Sequence, residues 1–146
     1  DGFGFLIPSV EKRKILGGLF SSCIFPNRGT DDHDLVTVMM GGDRHHNVRD
    51  LPDADVVDIA VSEIAEILDI STTDLEQKGM FRWSRAIPQY YRGHPDVVKR
   101  VEDAVSGHPG LFVTGNAFYG VGINDCTRAA FETVDRVAQY LEETSG

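Results

Sequence analysis

Leu111-Phe-Val-Thr-Gly-Asn-Ala-Phe-Tyr-Gly-Val-Gly-Ile-Asn-Asp-Cys126 joins a short apolar run, a glycine-rich turn and the opening of an amphipathic stretch. The apolar trio 111–113 predicts a short buried strand and residues 115–122 a turn. Cys126, Ala129, Ala130, Val134, Val137, Ala138 and Leu141 predict the inward stripe of a final helix. A strand, turn and helix joined in this way aim the unpaired N–H groups of the first helical turn, and the positive end of the helix dipole, at whatever lies above them. That outlines a ligand site, against the plainer reading of an ordinary connection. Gly120-x-Gly122 alone is a weak dinucleotide fingerprint. Asp125 stands where the third glycine belongs, and no further strand with an acidic residue follows. An adenosine-pyrophosphate site is therefore rejected here.

Upstream of this junction, Pro95 suits the first position of a helix, with Asp96 in its first turn and Gly107 past its end. Val97, Val98, Val101, Ala104 and Val105 would turn inward. Residues 76–91 carry Met80, Phe81, Trp83 and Ile87 ahead of Pro88, which predicts one long strand that leaves its sheet at the proline and crosses between lobes. Val57, Ala60, Val61, Ile64, Ile67 and Leu68 recur at helical spacing behind Asp53 or Asp55, either of which suits the cap. Strands are also predicted over 3–7, where Phe3, Phe5 and Ile7 alternate, and over 35–40, where both faces are apolar as in an interior strand. Between these two, Gly17 and Gly18 interrupt the apolar stretch 15–25, marking a bulge or a close backbone approach. A loop over 26–29 closes that stretch.

The composition bounds the class. With 146 residues, 41% apolar and 25% charged, the chain has the length of one domain or of two small lobes, and collagen, low complexity and coiled coil are excluded. No apolar run approaches the roughly 20 residues needed to cross a bilayer, and no secretory leader is legible. Fourteen basic against 23 acidic side chains leave a net charge of -9, a field that repels nucleic acid and anionic lipid. Cys23 and Cys126 form no metal clip or disulfide framework, which suits a reducing cytoplasm. The chain opens at Asp1, close to a strand, and is expected to be an internal piece of a longer protein.

Other chemistry has weak anchors. His45 and His46 with Asp43 lack a further ligand and read as a surface turn, so no metal is expected. Cys126 at a helix start has no base at triad spacing. His94 and His108 flank a helix and read as caps or loop residues, and no G-x-S-x-G elbow is present. Eight carboxylates without a Lys or Arg between 53 and 77 read as the solvated face of a helix rather than a docking face for a partner.

Four blocks carry a resemblance: Gly2-Phe-Gly-Phe-Leu-Ile-Pro8; Lys14-Ile-Leu-Gly17 with Ser22-Cys-Ile-Phe-Pro26; Trp83 with Ala86-Ile-Pro-Gln-Tyr90 and Gly93-His94; and Gly115-Asn-Ala117 with Gly120-Val-Gly-Ile-Asn-Asp-Cys126. Together and in order, over residues 1–141, they resemble the C-terminal third of the FAD-dependent protoporphyrinogen and coproporphyrinogen oxidases of the flavin amine-oxidase superfamily. The resemblance implies an enzyme of haem biosynthesis that aromatises protoporphyrinogen IX or coproporphyrinogen III with FAD and O2, releasing H2O2. It implies an α+β fragment, with 1–90 the last part of a substrate-binding domain and 91–146 the last part of an FAD-binding domain. The family's flavin contacts map onto Trp83, Gly115, Asn116, Val121, Gly122 and Ile123; Trp83 keeps a second reading as plain core.

No catalytic acid or base is assigned. FAD belongs to the full-length enzyme, and the fragment alone is expected to be inactive, to lack FAD and to associate through exposed apolar surface. A cytoplasmic location, peripheral to a membrane at most, is implied. Thr127, where the family more often has an apolar residue, and the acidic loop 30–34 depart from the pattern. The rival readings are another flavin amine-oxidase type, such as a desaturase, and a stand-alone nucleotide- or protein-binding module; the 86–90 block argues against the first.

Overall fold

The structure, a computed structural model, describes residues 2–145. The chain divides into two compact units, Asp1–Ser84 and Arg85–Gly146.

The first unit is built on three antiparallel strands, β1 (Gly4–Leu6), β2 (Ile15–Phe20) and β3 (Val36–Met40), in the order β1-β2-β3. Gly4 lies opposite Leu19 and Leu6 opposite Gly17, while β2 pairs with β3 from Ile15 opposite Met40 to Phe20 opposite Val36. The register shifts between Ile15 and Gly17, so the bulge expected at the glycine pair is present. On the β1 side the same glycine allows a close backbone approach: a Cβ on Gly17 would stand 2.3 Å from the Phe5 carbonyl oxygen. The short helix α1 (Ser21–Ile24) follows β2 directly, and the Ser21 hydroxyl lies 2.7 Å from that of Thr37 on β3.

Helix α2 (Asp53–Leu68) closes this unit. Ile64 meets Ile7 and Ile15 in a buried cluster, against which Phe5, Val36, Val38, Met40, Ile67, Leu68 and Leu75 pack. Val56 and Ala65 are also buried, so the inward face is rotated slightly from the stripe read by spacing. On the outer face Arg13 lies 2.7 Å from Glu66 and 3.6 Å from Glu63, and the Lys14 amide donates to Glu63 at 3.1 Å. The Arg13 guanidinium, by its hydrogen bond and then its charge, holds the Glu66 carboxyl below the usual carboxylate range. Part of the acidic run is therefore paired within the fold.

Five local expectations are corrected. Pro52, not an aspartate, occupies the cap position of α2, and no side chain caps it; the Asp53 carboxylate is drawn instead to Arg82, at 2.7 Å. Among the described residues β3 pairs with β2 alone and is an edge rather than an interior strand. Residues 76–91 and 111–113 belong to no ladder, because no neighbouring strand among the described residues supplies partners. Helix α3 (His94–Ser106) begins with Pro95 in its first turn and ends at Gly107 as expected, yet none of its residues is buried.

The second unit consists of α3, the turn after it and the long helix α4 (Ile123–Thr144). The Phe112 ring meets Tyr140 edge-on at 6.0 Å, and Arg136 sits 5.5 Å above the Phe112 ring. Only Ala129 of α4 is buried, while Phe131, Val134 and Leu141 remain exposed, so the predicted stripe is covered only in part. No helix among the described residues is long and apolar enough to cross a membrane. The α+β class is as expected.

Replacing Gly17 by valine forces β1 and β2 apart. The urea midpoint is expected to fall by the equivalent of about 1–3 kcal/mol. Gly79→Ala, whose new methyl would meet nothing closer than the Phe81 ring at 3.6 Å, serves as the control and stays within about 0.5 kcal/mol.

Candidate ligand site at the start of the last helix

The turn that enters α4 is shaped by its own backbone. The Gly115 carbonyl accepts from the amides of Phe118 at 3.1 Å and Tyr119 at 3.4 Å, folding 115–119 back on itself. Gly120 has φ +118°, and a Cβ there would collide with Asp125 at 2.5 Å. Asp125 is itself held by Arg128 at 2.8 Å. Gly122 then stands at the cap position with an extended backbone and no side chain to offer, and its carbonyl takes the first helical bond, from Cys126 at 2.9 Å.

As a result, the amides of Ile123, Asn124 and Asp125 precede the first helical hydrogen bond and have no acceptor along the helix. Such amides favour negative charge close to the helix start. On either side of the glycine, Val121 is 44% and Ile123 85% exposed. The arrangement is a row of donors beside two exposed apolar side chains. It suits a ligand with a flat apolar body and a polar, electron-rich edge better than it suits a free phosphate.

Tyr90 is fastened to this turn. Its hydroxyl donates to the Asn116 carbonyl at 2.5 Å and accepts from the Gly120 amide at 2.8 Å. Its ring stacks on His94, with centroids 3.9 Å apart and 10° between planes. Nearby, the Tyr119 hydroxyl donates to Glu102 on α3 at 2.8 Å. Burial first, then the Glu102 carboxylate, push the Tyr119 phenol above its usual range and keep it neutral.

Of the expected site residues, the structure brings Gly115, Asn116, Val121, Gly122 and Ile123 together in the second unit. Trp83 belongs to the first unit and is 74% exposed, which overturns its reading as plain core. Its backbone is held without a strand ladder. The Arg82 guanidinium donates to the carbonyls of Val48 at 2.9 Å, Arg49 at 3.0 Å and Leu51 at 3.1 Å, and pairs with Asp53. Sequence reasoning passes over Arg82 and gives Tyr90 and His94 no role at this turn; their membership of one sequence block is the available signal.

The weaker candidates stay weak. His46 Nε2 lies 3.6 Å from Asp43 in an exposed turn, and no metal-binding group of three side chains occurs among the described residues. Both cysteines are free, and the Cys126 thiol contacts the Gly120 carbonyl at 3.6 Å. His108 lies just past α3, its amide bonded to the Val105 carbonyl at 2.9 Å.

Residues 2–138 match the family of flavin containing amine oxidoreductases, and the chain belongs to that family of oxidoreductases. Among curated proteins it is similar to the mitochondrial protoporphyrinogen oxidase of Nicotiana tabacum, 30% identical over 99% of this chain and 29% of the relative. It is likewise similar to coproporphyrinogen III oxidase of Bacillus subtilis (strain 168), at 28% identity over 97% of this chain and 30% of the relative. A crystal structure from Exiguobacterium sp. 255-15, of a protein provisionally named a protoporphyrinogen oxidase, superposes with a TM-score of 0.74 at 23% identity, covering 97% of this chain and 31% of that one. This likeness shows a shared fold. The chain spans about three-tenths of the length of the curated relatives it matches.

Trp83 is the only tryptophan, so its fluorescence reports on the segment that Arg82 holds. In Arg82→Met the emission stays that of a solvent-exposed indole while its anisotropy falls. Unchanged anisotropy would show that Arg82 does not hold the segment.

Proposed function

We propose that the chain is the closing segment of an FAD-dependent porphyrinogen oxidase, in which residues 1–90 complete the substrate-binding domain and 91–146 the FAD-binding domain. In this reading Gly115, Asn116, Val121, Gly122 and Ile123 face the flavin ring, and the resemblance separately assigns a flavin contact to Trp83. The observation that carries it is the uncapped start of α4, where unpaired amides adjoin exposed Val121 and Ile123. An isoalloxazine has a flat apolar body and a pyrimidine edge that is negative when reduced, so the residues present fit it. The resemblance of the four sequence blocks and the names of the relatives supply the substrate class, protoporphyrinogen IX or coproporphyrinogen III.

Bound FAD would supply acceptance of hydride from the macrocycle and, by its reoxidation with O2, release of H2O2. The residues of this chain bind and orient. The amides of Ile123 and Asn124 set the ring's polar edge, Val121 and Ile123 exclude water from its face, and Gly122 lets the backbone approach it. No proton transfer is assigned to any side chain here. Hydride transfer requires cofactor and macrocycle held in register, and most of that grip would come from residues outside this chain, so the segment alone is catalytically silent.

Gly122 tests the reading. Its φ of -72° suits any residue, and a Cβ there would lie 3.1 Å from Asp125 Oδ2, a carboxylate tip that can swing away. In the full-length enzyme Gly122→Val therefore keeps the turn but crowds the ring, and FAD binding is expected to weaken roughly tenfold. Flavin content unchanged after purification would remove the role.

The apolar faces of α3 and α4 carry a further expectation. The segment expressed alone is expected to associate through Phe131, Val134 and Leu141, and light scattering should give masses above the 16.1 kDa monomer. A strict monomer at high concentration would contradict it.

A further inference from the structure

We infer that Tyr90 is a positioning residue for the turn that faces the flavin: its hydroxyl pins both ends of the 116–120 loop and so fixes where Val121, Gly122 and Ile123 stand. The inference deepens the proposed function and rests on it for the identity of the ligand. Its geometry is independent. One phenolic oxygen donates to the Asn116 carbonyl at 2.5 Å, the short end of the range for an O–H donor, and accepts the Gly120 N–H at 2.8 Å. Asn116 is itself one of the expected flavin contacts, and Gly120 is the residue immediately before Val121.

The loop between those contacts needs an outside hold. Gly115 and Gly120 both have positive φ, +123° and +118°, and glycines lose more conformational freedom on ordering than any other residue. The Gly115 carbonyl ties only Phe118 and Tyr119; the Tyr119 hydroxyl reaches Glu102 on α3 at 2.8 Å but does not hold the Gly120 amide, and Gly120 is otherwise met by the long contact from the Cys126 thiol at 3.6 Å. The Tyr90 ring is well placed to supply the hold. It lies flat on the imidazole of His94, the first residue of α3, and the His94 amide donates to the Tyr91 carbonyl at 3.0 Å, closing the turn that brings the two rings together. The phenol is thus referred to a 13-residue helix rather than to another loop.

Tyr90→Phe removes the hydroxyl and keeps the stack. In the full-length protein stripped of FAD, amide exchange at Gly120 is expected to accelerate about fivefold, the loss of one ordinary hydrogen bond. On titration with FAD its dissociation constant is expected to rise by a similar factor, with a shift of the visible flavin band. The thermal midpoint of the stripped protein stays within about 2 °C. His94→Phe, which preserves stacking, should match the parent, whereas His94→Ala should move Gly120 exchange and FAD affinity in the direction of Tyr90→Phe. His94→Ala also serves as the test if Tyr90→Phe fails to fold.

Unchanged Gly120 exchange in Tyr90→Phe overturns the inference. So does faster exchange with unaltered FAD affinity and spectrum, provided Gly122→Val still weakens FAD; in that case the proposed function survives and only the role of Tyr90 falls. If neither variant affects FAD, the proposed function fails, and the flavin role of Tyr90 fails with it.

Discussion

Helix α4 begins on a residue with no side chain, and that constraint organises the second unit. A serine or aspartate in place of Gly122 would satisfy one of the free amides internally and stabilise the helix by roughly a few tenths of a kcal/mol. The chain forgoes this, and it keeps Val121 and Ile123 exposed on either side. A helix of 22 residues tolerates an open end because its remaining hydrogen bonds and the packing around Ala129 and Tyr140 hold it. The open end is then available to something other than protein, and the turn before it is braced by Gly120 against Asp125 and by the Tyr90 hydroxyl.

The first unit solves a different problem by a related device. Its sheet is narrow, and Gly17 lets β1 approach β2 so closely that the Ile7, Ile15 and Ile64 cluster becomes the centre of a small core. The segment beyond α2 has no strand to join among the described residues. Arg82 takes over by gathering three carbonyls and the Asp53 carboxylate, and Trp83 follows it into solvent. A planar guanidinium with several donors in fixed directions suits this better than a lysine would.

What is legible in the residues divides along physical lines. Pro95 and Gly107 mark the limits of α3 because helix ends are governed by neighbours in the chain. The bulge at Gly17 and the turn after Thr114 are likewise local. Asp53 looks like a cap from its neighbours alone, but its true partner lies 29 residues away. Residues 76–91 look like a strand because alternation announces a face, not a neighbour to pair with. The Tyr90 contacts reach over 26 and 30 residues and leave no local trace at all. The glycine-rich turn is recognisable as a ligand site in outline; its ligand comes from the resemblance of four separated blocks, which the family match over residues 2–138 bears out at the level of the family.

Strand β3 leaves one row of backbone donors and acceptors unpaired among the described residues. Val36-Thr-Val-Met-Met40 is rich in β-branched and apolar side chains, and it carries neither a charge nor a proline to deter a second copy from annealing there. Covering this border would therefore do more than add mass: it would remove a template for cross-β growth.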